Sequence, residues 1–215
     1  MTRLILIRHG ESEGNVRKIG SGQSDVVLTE RGYLQAELAA KYLLLKEKID
    51  AIYSSDLQRA YNTVLPVAKA LRMDITKYSD LREMDIGKWV GLTAEERTAK
   101  YPAEAQIFNE NFSLLRFPDG EYVPDVYDRV VNCISDIAKK NDGKTVLVAT
   151  HAGAIRVFHA HAIGLSRLET GKTKGCENTS INIYGYEDGK FFPIETNITA
   201  HLEGMLIKTR EDEKI

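Results

Sequence analysis

Three short apolar runs punctuate the chain: Leu4 to Ile7, Ala51 to Tyr53 and Thr145 to Ala149. Each is short and dense, the pattern of a strand buried on both faces. Between them the apolar positions change to helical spacing. Thr29 is a plausible N-cap, and after it Leu34, Leu38, Tyr42 and Leu45 recur as one stripe that should face the core. A second helix should follow Ser55 or Asp56, with Leu57, Ala60, Tyr61, Val64, Ala68 and Leu71 turned inward. Pro66 inside it removes one hydrogen bond from the ladder. A third run, Val123, Val126, Tyr127, Val130, Ile134 and Ile137, ends at the turn Asn141-Asp142-Gly143 before the strand at Thr145. Late in the chain, Ile181 to Tyr186 and Phe191 to Ile194 flank Glu187-Asp188-Gly189-Lys190 and read as a hairpin that extends the sheet.

Strands that alternate with helices need crossover connections, so the pattern predicts an α/β fold: a three-layer α/β/α arrangement whose mostly parallel central sheet carries helices on both faces. At 215 residues the chain is long enough for one sizeable core, and we expect a single domain over 1–215. Residues 81–118 have weak periodicity and several polar breaks, which predicts a partly helical insertion over the active face. Lys208 to Lys214 is almost all charged and should fray.

Charge and composition narrow the partners. With 29 Lys+Arg against 31 Asp+Glu the net charge is −2, so the basic surplus of a nucleic-acid binder is missing and any bound anion must be held locally. The apolar run at Leu4 is cut by Arg8, too soon for a signal peptide or a membrane span. Cys133 and Cys176 lie in no paired spacing, which suggests neither a disulfide framework nor a zinc site. A cytoplasmic protein with no membrane partner is the expectation.

The candidate chemistry sits at strand ends. Leu4-Ile-Leu-Ile-Arg-His-Gly and Val146-Leu-Val-Ala-Thr-His-Ala-Gly each run an apolar strand into a histidine followed by small residues. In a parallel α/β sheet, groups just past the strand C-termini converge on the ligand crevice. His9 and His151 should therefore meet, with Arg8 beside them and Arg59 arriving from the junction Ile52-Tyr-Ser-Ser-Asp-Leu-Gln-Arg-Ala. Gathering several cations without an anion costs repulsion and desolvation. The cluster asks for an anion such as phosphate.

Arg8-His9-Gly10-Glu11 after a hydrophobic strand resembles the signature of the histidine phosphatase superfamily, also called phosphoglycerate mutase-like. Ser55-Asp56-Leu57-Gln58-Arg59-Ala60 is similar to its second-arginine motif, and Leu81-Arg82-Glu83-Met84-Asp85-Ile86-Gly87 to its acid-bearing loop. Thr150-His151-Ala152-Gly153 resembles its second-histidine motif, and Asn178-Thr179-Ser180 and Asn197 to Leu202 its closing segments. By this resemblance His9 is the nucleophile that becomes a phosphohistidine. Arg8, Arg59, His151 and Asn15 bind the phosphoryl oxygens, His151 also opening a helix. Glu83 is the general acid. Ser21 and Gly22 occupy the substrate-loop position, and Trp89 packs beneath the acid-bearing loop.

The resemblance implies a metal-independent phosphomonoesterase acting on a small phosphorylated metabolite, with no cofactor. Its phosphatase branch, similar to alpha-ribazole phosphatase and broad-specificity phosphatases, fits better than the mutases. Those carry an Arg-His-Tyr run after the acid, a lysine in the next helix and a tandem arginine pair; here stand Met84-Asp85-Ile86, Ala94 and a single Arg116. Mutase-type transfer and a phospho-ligand-binding regulatory module on the same fold are the alternatives. Gly120-Glu121-Tyr122 departs from the phosphatases' Gly-Glu-Ser, which points to a different far wall of the pocket. His159 and His161, two apart in a helix, face different ways and do not suggest a metal site.

Overall fold

The structure, a computed structural model, describes residues 1–203. The charged segment Lys208 to Lys214 lies outside the described residues. Six strands form one sheet: β1 (Thr2–Arg8), β2 (Ala51–Ser55), β3 (Ile75–Tyr78), β4 (Thr145–Thr150), β5 (Ile181–Glu187) and β6 (Lys190–Ile198). Their order across it is β3-β2-β4-β1-β5-β6. The pairs β1–β4, β2–β4 and β2–β3 are parallel, whereas β5 runs antiparallel to β1 and β6 antiparallel to β5. The late hairpin thus extends a parallel sheet with an antiparallel edge. Among the described residues seven helices accompany it: α1 (Glu13–Val16), α2 (Glu30–Lys46), α3 (Gln58–Leu71), α4 (Ala94–Lys100), α5 (Pro102–Glu110), α6 (Val123–Lys140) and α7 (Ala152–Ala162).

The strand period of two divides the core between the two faces. Leu4 and Leu6 of β1, with Val146 and Val148 of β4, pack against Val126, Val130 and Ile134 of α6 and Val157 and Phe158 of α7. Ile5, Ile7, Leu147 and Ala149 point the other way, onto Ala39, Ala40 and Leu43 of α2 and Ala60, Val64 and Val67 of α3. Both faces of β1 and β4 are dry, which is why these strands read as unbroken apolar runs. Burying each such Leu or Ile contributes roughly 1.5–3 kcal/mol.

Helix α2 forms where the pattern placed it, capped by Thr29, whose Oγ1 accepts from the Gly32 N–H at 3.0 Å. Its inward face is a different one. Gln35, Ala36, Ala39, Ala40 and Leu43 are buried, while Leu34 is 52% and Leu45 85% exposed. Leu38 is half-buried and Tyr42 lies 5.7 Å, ring to ring, from His201. Close backbone approach decides this orientation: a Cβ on Gly32 would stand 2.0 Å from the Glu11 carbonyl oxygen, so the small side chains must face the sheet. In α3, which continues through Pro66, Leu71 at the end is 37% exposed and Tyr61 only half-buried, its ring carrying Lys77 at 4.1 Å. Strand β3 had no apolar run to announce it. It is an edge strand, Ile-Thr-Lys-Tyr, with no fully buried position.

Residues 81–118 contain α4, α5 and 3-10 turns at Gly87–Trp89 and Phe112–Leu114. Trp89 is 1% exposed and meets Phe108 and Phe117 edge-on at 5.8 and 5.3 Å. Across the sheet, Arg8 pairs with Thr150 and Ser54 with Ala149, so β1, β4 and β2 end together along one edge. That edge holds the site.

Candidate active site

The ladder continues one residue past the strands: the His9 N–H donates to the Thr150 carbonyl at 3.0 Å, which brings the next residue, His151, alongside. The two imidazole centroids are 5.2 Å apart, His9 being 5% exposed and His151 fully buried. His9 Nδ1 is 2.7 Å from the Gly10 carbonyl oxygen. A carbonyl only accepts, so Nδ1 carries the hydrogen and Nε2 keeps its lone pair. The His9 carbonyl is itself pinned by Asn178 Nδ2 at 3.0 Å and the Thr179 N–H at 3.3 Å. Thr179 holds φ 53°, a left-handed backbone rarely adopted by a β-branched residue, directly behind the histidine.

His151 caps the start of α7, and its Nε2 lies 2.9 Å from Ser55 Oγ. That hydroxyl also accepts from the Leu57 N–H at 3.3 Å; with its own proton directed to Nε2, His151 Nδ1 carries the ring hydrogen. Arg59, 1% exposed, donates from Nη1 and Nη2 to the Ser24 and Gly22 carbonyls, both at 2.7 Å. Arg8 donates from Nη1 to the Cys176 carbonyl. Three buried donors then remain without an acceptor: Arg8 Nε, Arg59 Nε and His151 Nδ1. Unpaired buried donors are costly, and an oxyanion bound among them would offer the acceptors they lack.

Asn15 adds a fourth donor. Its Oδ1 accepts from the Ser12 N–H, Ser12 Oγ and Asn178 Nδ2 at 3.0, 3.0 and 3.2 Å, which orients the amide and leaves its NH₂ on the cavity side. Burial pushes His9 well below the ordinary imidazole value, and the charges of Arg8 and Arg59 push it further. His151 moves the same way, through burial and then Arg59, His9 and Arg8. Both rings are neutral at physiological pH. Burial also lowers Arg59, against the pull of Glu83, yet from so high a starting value that it stays a cation.

Glu83 arrives from the segment after β3. Its Oε1 accepts from the Met84 N–H at 3.0 Å and Oε2 from the Gly153 N–H, in the first turn of α7, at 3.2 Å. A Cβ on Gly153 would stand 2.3 Å from Oε1, so a larger residue here would displace the carboxylate. Arg129 of α6 holds the acid loop from behind, donating to the Asp80, Arg82 and Glu83 carbonyls at 2.9, 3.0 and 3.0 Å. Glu121 receives the same guanidinium at 2.7 and 2.8 Å and accepts from the Asp85 N–H at 2.7 Å. This brace lay unread in Gly120-Glu121-Tyr122. The departing residue, Tyr122, stacks under Arg116 at 4.8 Å, and neither lines the cavity.

These groups border one cavity of about 270 Å³. Arg8, His9, Asn15, Ser21, Gly22, Arg59 and Glu83 all line it, with Ala152 and Gly153 beside His151. Gly22 has φ 48° and presses on Ile86, where a Cβ would come within 2.8 Å. Ser21 sits over Gly14, whose missing Cβ would lie 2.0 Å from Ser21 Oγ. Four residues were not singled out from sequence: Ser55, Arg129, and the cavity-lining Arg97 and Arg156. His159 and His161 go separate ways, to the Tyr184 and Tyr127 hydroxyls at 3.2 and 2.9 Å. Among the described residues no group of three or more His, Cys, Asp or Glu could hold a metal ion, and no helix is long and apolar enough to cross a membrane.

Residues 4–199 match the histidine phosphatase superfamily (branch 1). Phosphoserine phosphatase 1 of Hydrogenobacter thermophilus is 35% identical over 202 residues, covering 94% of this chain and 95% of that protein. The metal-independent phosphoserine phosphatase of Arabidopsis thaliana is 32% identical over 207 residues, covering 95% and 85%. The crystal structure of a phosphoserine phosphatase variant from Entamoeba histolytica in complex with phosphoserine has a TM-score of 0.83 at 27% identity, covering 94% of this chain and 100% of that one. Fold, donor cradle and relatives define a metal-independent phosphomonoesterase. The chain belongs to the histidine phosphatase superfamily.

Proposed function

We propose that this phosphatase hydrolyses small phosphate monoesters in two transfers through a phosphohistidine on His9. The carrying observation is the Nδ1 bond to the Gly10 carbonyl, which leaves Nε2 as a neutral nucleophile beside three orphaned donors. In the first transfer Nε2 bonds to phosphorus, the ester P–O bond breaks, and Glu83, acting as general acid, passes a proton to the leaving oxygen. In the second, water loses a proton to Glu83 as its oxygen bonds to phosphorus, and the P–N bond breaks to release phosphate. Charge spread over the equatorial oxygens is met by Arg8, Arg59, His151 Nδ1–H and the Asn15 amide, a fixed set of donors that needs no reorganisation. Ser21 and Gly22 border the substrate path. Residues 1–215 act as one unit, with 81–118 supplying the acid and much of the pocket.

A mutase must hold a substrate for the return transfer. Arg116, the single arginine near the mutases' tandem pair, stacks on Tyr122 away from the cavity, which supports hydrolysis. The cavity volume suits a metabolite, and the names of the relatives make phosphoserine a substrate to assay. The test is turnover of phenyl phosphate in EDTA, wild type against His9→Ala. We expect a fall of at least roughly 10³-fold, the order lost with a covalent nucleophile, and an acid-labile phosphoenzyme in the wild type alone. Equal turnover in the two proteins would sink the phosphohistidine mechanism.

A further inference from the structure

The proposed chemistry occupies one end of the cavity. The other end is walled by Ile86, Trp89, Phe108, Phe112 and Phe117, and by two arginines, Arg97 of α4 and Arg156 of α7. Among the described residues neither arginine pairs with a carboxylate; the arginine ion pairs that form are those of Arg3, Arg31, Arg82, Arg129 and Arg167. Arg156 lies over the Phe112 ring at 3.9 Å, reaches only the Gly171 carbonyl at 3.3 Å, and keeps a buried Nε without a partner. Arg97 lies over Trp89 at 5.4 Å and spends Nε and Nη2 on one acceptor, the Leu92 carbonyl, at 3.2 and 3.1 Å. Both guanidinium groups are half-buried, and burial lowers both pKa values without bringing them near neutrality. Aromatic faces offset part of the desolvation cost. They do not replace a counter-ion.

The sign of the wall is equally informative. Among the described residues Glu83 is the one carboxylate lining this cavity, and it is tied to backbone N–H groups at the phosphate end. A ligand that reaches past the phosphate site meets apolar rings and then positive charge; Glu110 and Glu169 line the neighbouring cavity that shares Phe108, Phe112 and Arg156, and Glu169 is already paired with Lys172. We infer that Arg97 and Arg156 form a second anion subsite, and that the preferred substrate is a phosphate monoester carrying a carboxylate at the far end of an apolar or aromatic body. The inference rests on the phosphatase reading of this cavity and adds its substrate class.

The experiment compares phenyl phosphate with its 4-carboxy and 4-aminomethyl derivatives in wild type, Arg156→Ala, Arg156→Lys and Arg97→Gln. The readout is the ratio of kcat/KM for the carboxylated ester to that for the neutral one within each protein, so that leaving-group differences cancel between proteins. Losing a charge-assisted contact predicts a roughly ten- to hundredfold collapse of the ratio in Arg156→Ala, carried mainly by KM. The collapse should be partial in Arg156→Lys and several-fold in Arg97→Gln, with the aminomethyl ester disfavoured in wild type. Should Arg156→Ala fail to fold, the lysine and Arg97 variants decide. Wild-type turnover with no carboxylate preference, or a preference that survives in the variants, overturns the subsite and leaves the phosphatase reading standing. No turnover of any ester by the wild type overturns both.

Discussion

The two ends of the cavity are built from different kinds of chain. At the phosphate end, His9 and His151 follow buried parallel strands and Arg59 opens α3, and each is held by a second residue: Gly10 and Asn178 for His9, Ser55 for His151, the Gly22 and Ser24 carbonyls for Arg59. At the distal end, Arg97 and the aromatic wall hang from short helices and turns of 81–118, and Arg156 leans on rings rather than on acids. Transferring a phosphoryl group demands donors fixed to within a fraction of an ångström, which strand ends provide. Recognising the rest of a substrate tolerates a softer wall. The division predicts that damage at one end is general for all phosphate esters, whereas damage at the other is selective.

The strongest way to break that division is Arg59→Ala. Arg59 both keeps a buried Nε without a partner and pins the loop carrying Gly22, so its loss should lower kcat/KM by roughly 10²–10³-fold, the effect of removing one preorganised donor. The fall should be the same for carboxylated and neutral esters. A loss under tenfold, or one confined to one ester, would move transition-state stabilisation away from the strand ends.

Glu83→Gln sharpens the comparison, because the acid loop belongs to the segment that builds the soft end yet serves the rigid one. The brace of Arg129 with Glu121, and the contact with the Gly153 N–H, give this loop residue the fixity of a strand end. In its proposed role of proton donor it should matter most where the leaving group is poor. We expect roughly 10²-fold or more lost on alkyl phosphates and far less on 4-nitrophenyl phosphate. Comparable losses on both would assign Glu83 a positional role only.

The same division governs what sequence can reveal. Arg8, His9, Arg59 and His151 were legible because dry strands give unbroken apolar runs, and the residues just past them must share one edge. Glu83 was legible through its loop motif alone, since periodicity around it is weak. Arg97 and Arg156 carried no such signal: one lies in a short charged helix, the other mid-helix on α7, and only the path of 81–118 brings them to one cavity. The face of α2 was misread for a related reason. Leu34 and Leu45 make the more apolar stripe, but Gly32 and the alanines permit the contact, and packing distance outranked bulk. Strand β3 pairs through its backbone at an edge, which side-chain pattern does not report.

Acid makes the gentlest test, and it acts on one end only. Burial first, then the cations around them, hold His9 and His151 well below the ordinary imidazole pKa of about 6.5, whereas Arg97 and Arg156 remain charged throughout. The unfolded chain takes up protons at these histidines near 6.5 while the folded chain does not, so below 6.5 the unfolded state binds more protons and stability declines as pH falls toward the folded values. His159, His161 and His201 are lowered by burial as well and add to that decline, so a melting curve alone cannot assign it. Ring-nitrogen NMR titration of the individual histidines can. His9 and His151 should titrate below 6.5 in the free protein, and inorganic phosphate should raise both, because its negative charge offsets the neighbouring arginines. The other three, whose shifts owe nothing to Arg8 or Arg59, should hold still. The kcat/KM should accordingly change less than about twofold between pH 7.5 and 6.5, the proposed nucleophile His9 being neutral at both in the free protein. A His9 titration at or above 6.5, or one indifferent to phosphate, would mean that the phosphate end is neither as dry nor as positive as its geometry indicates.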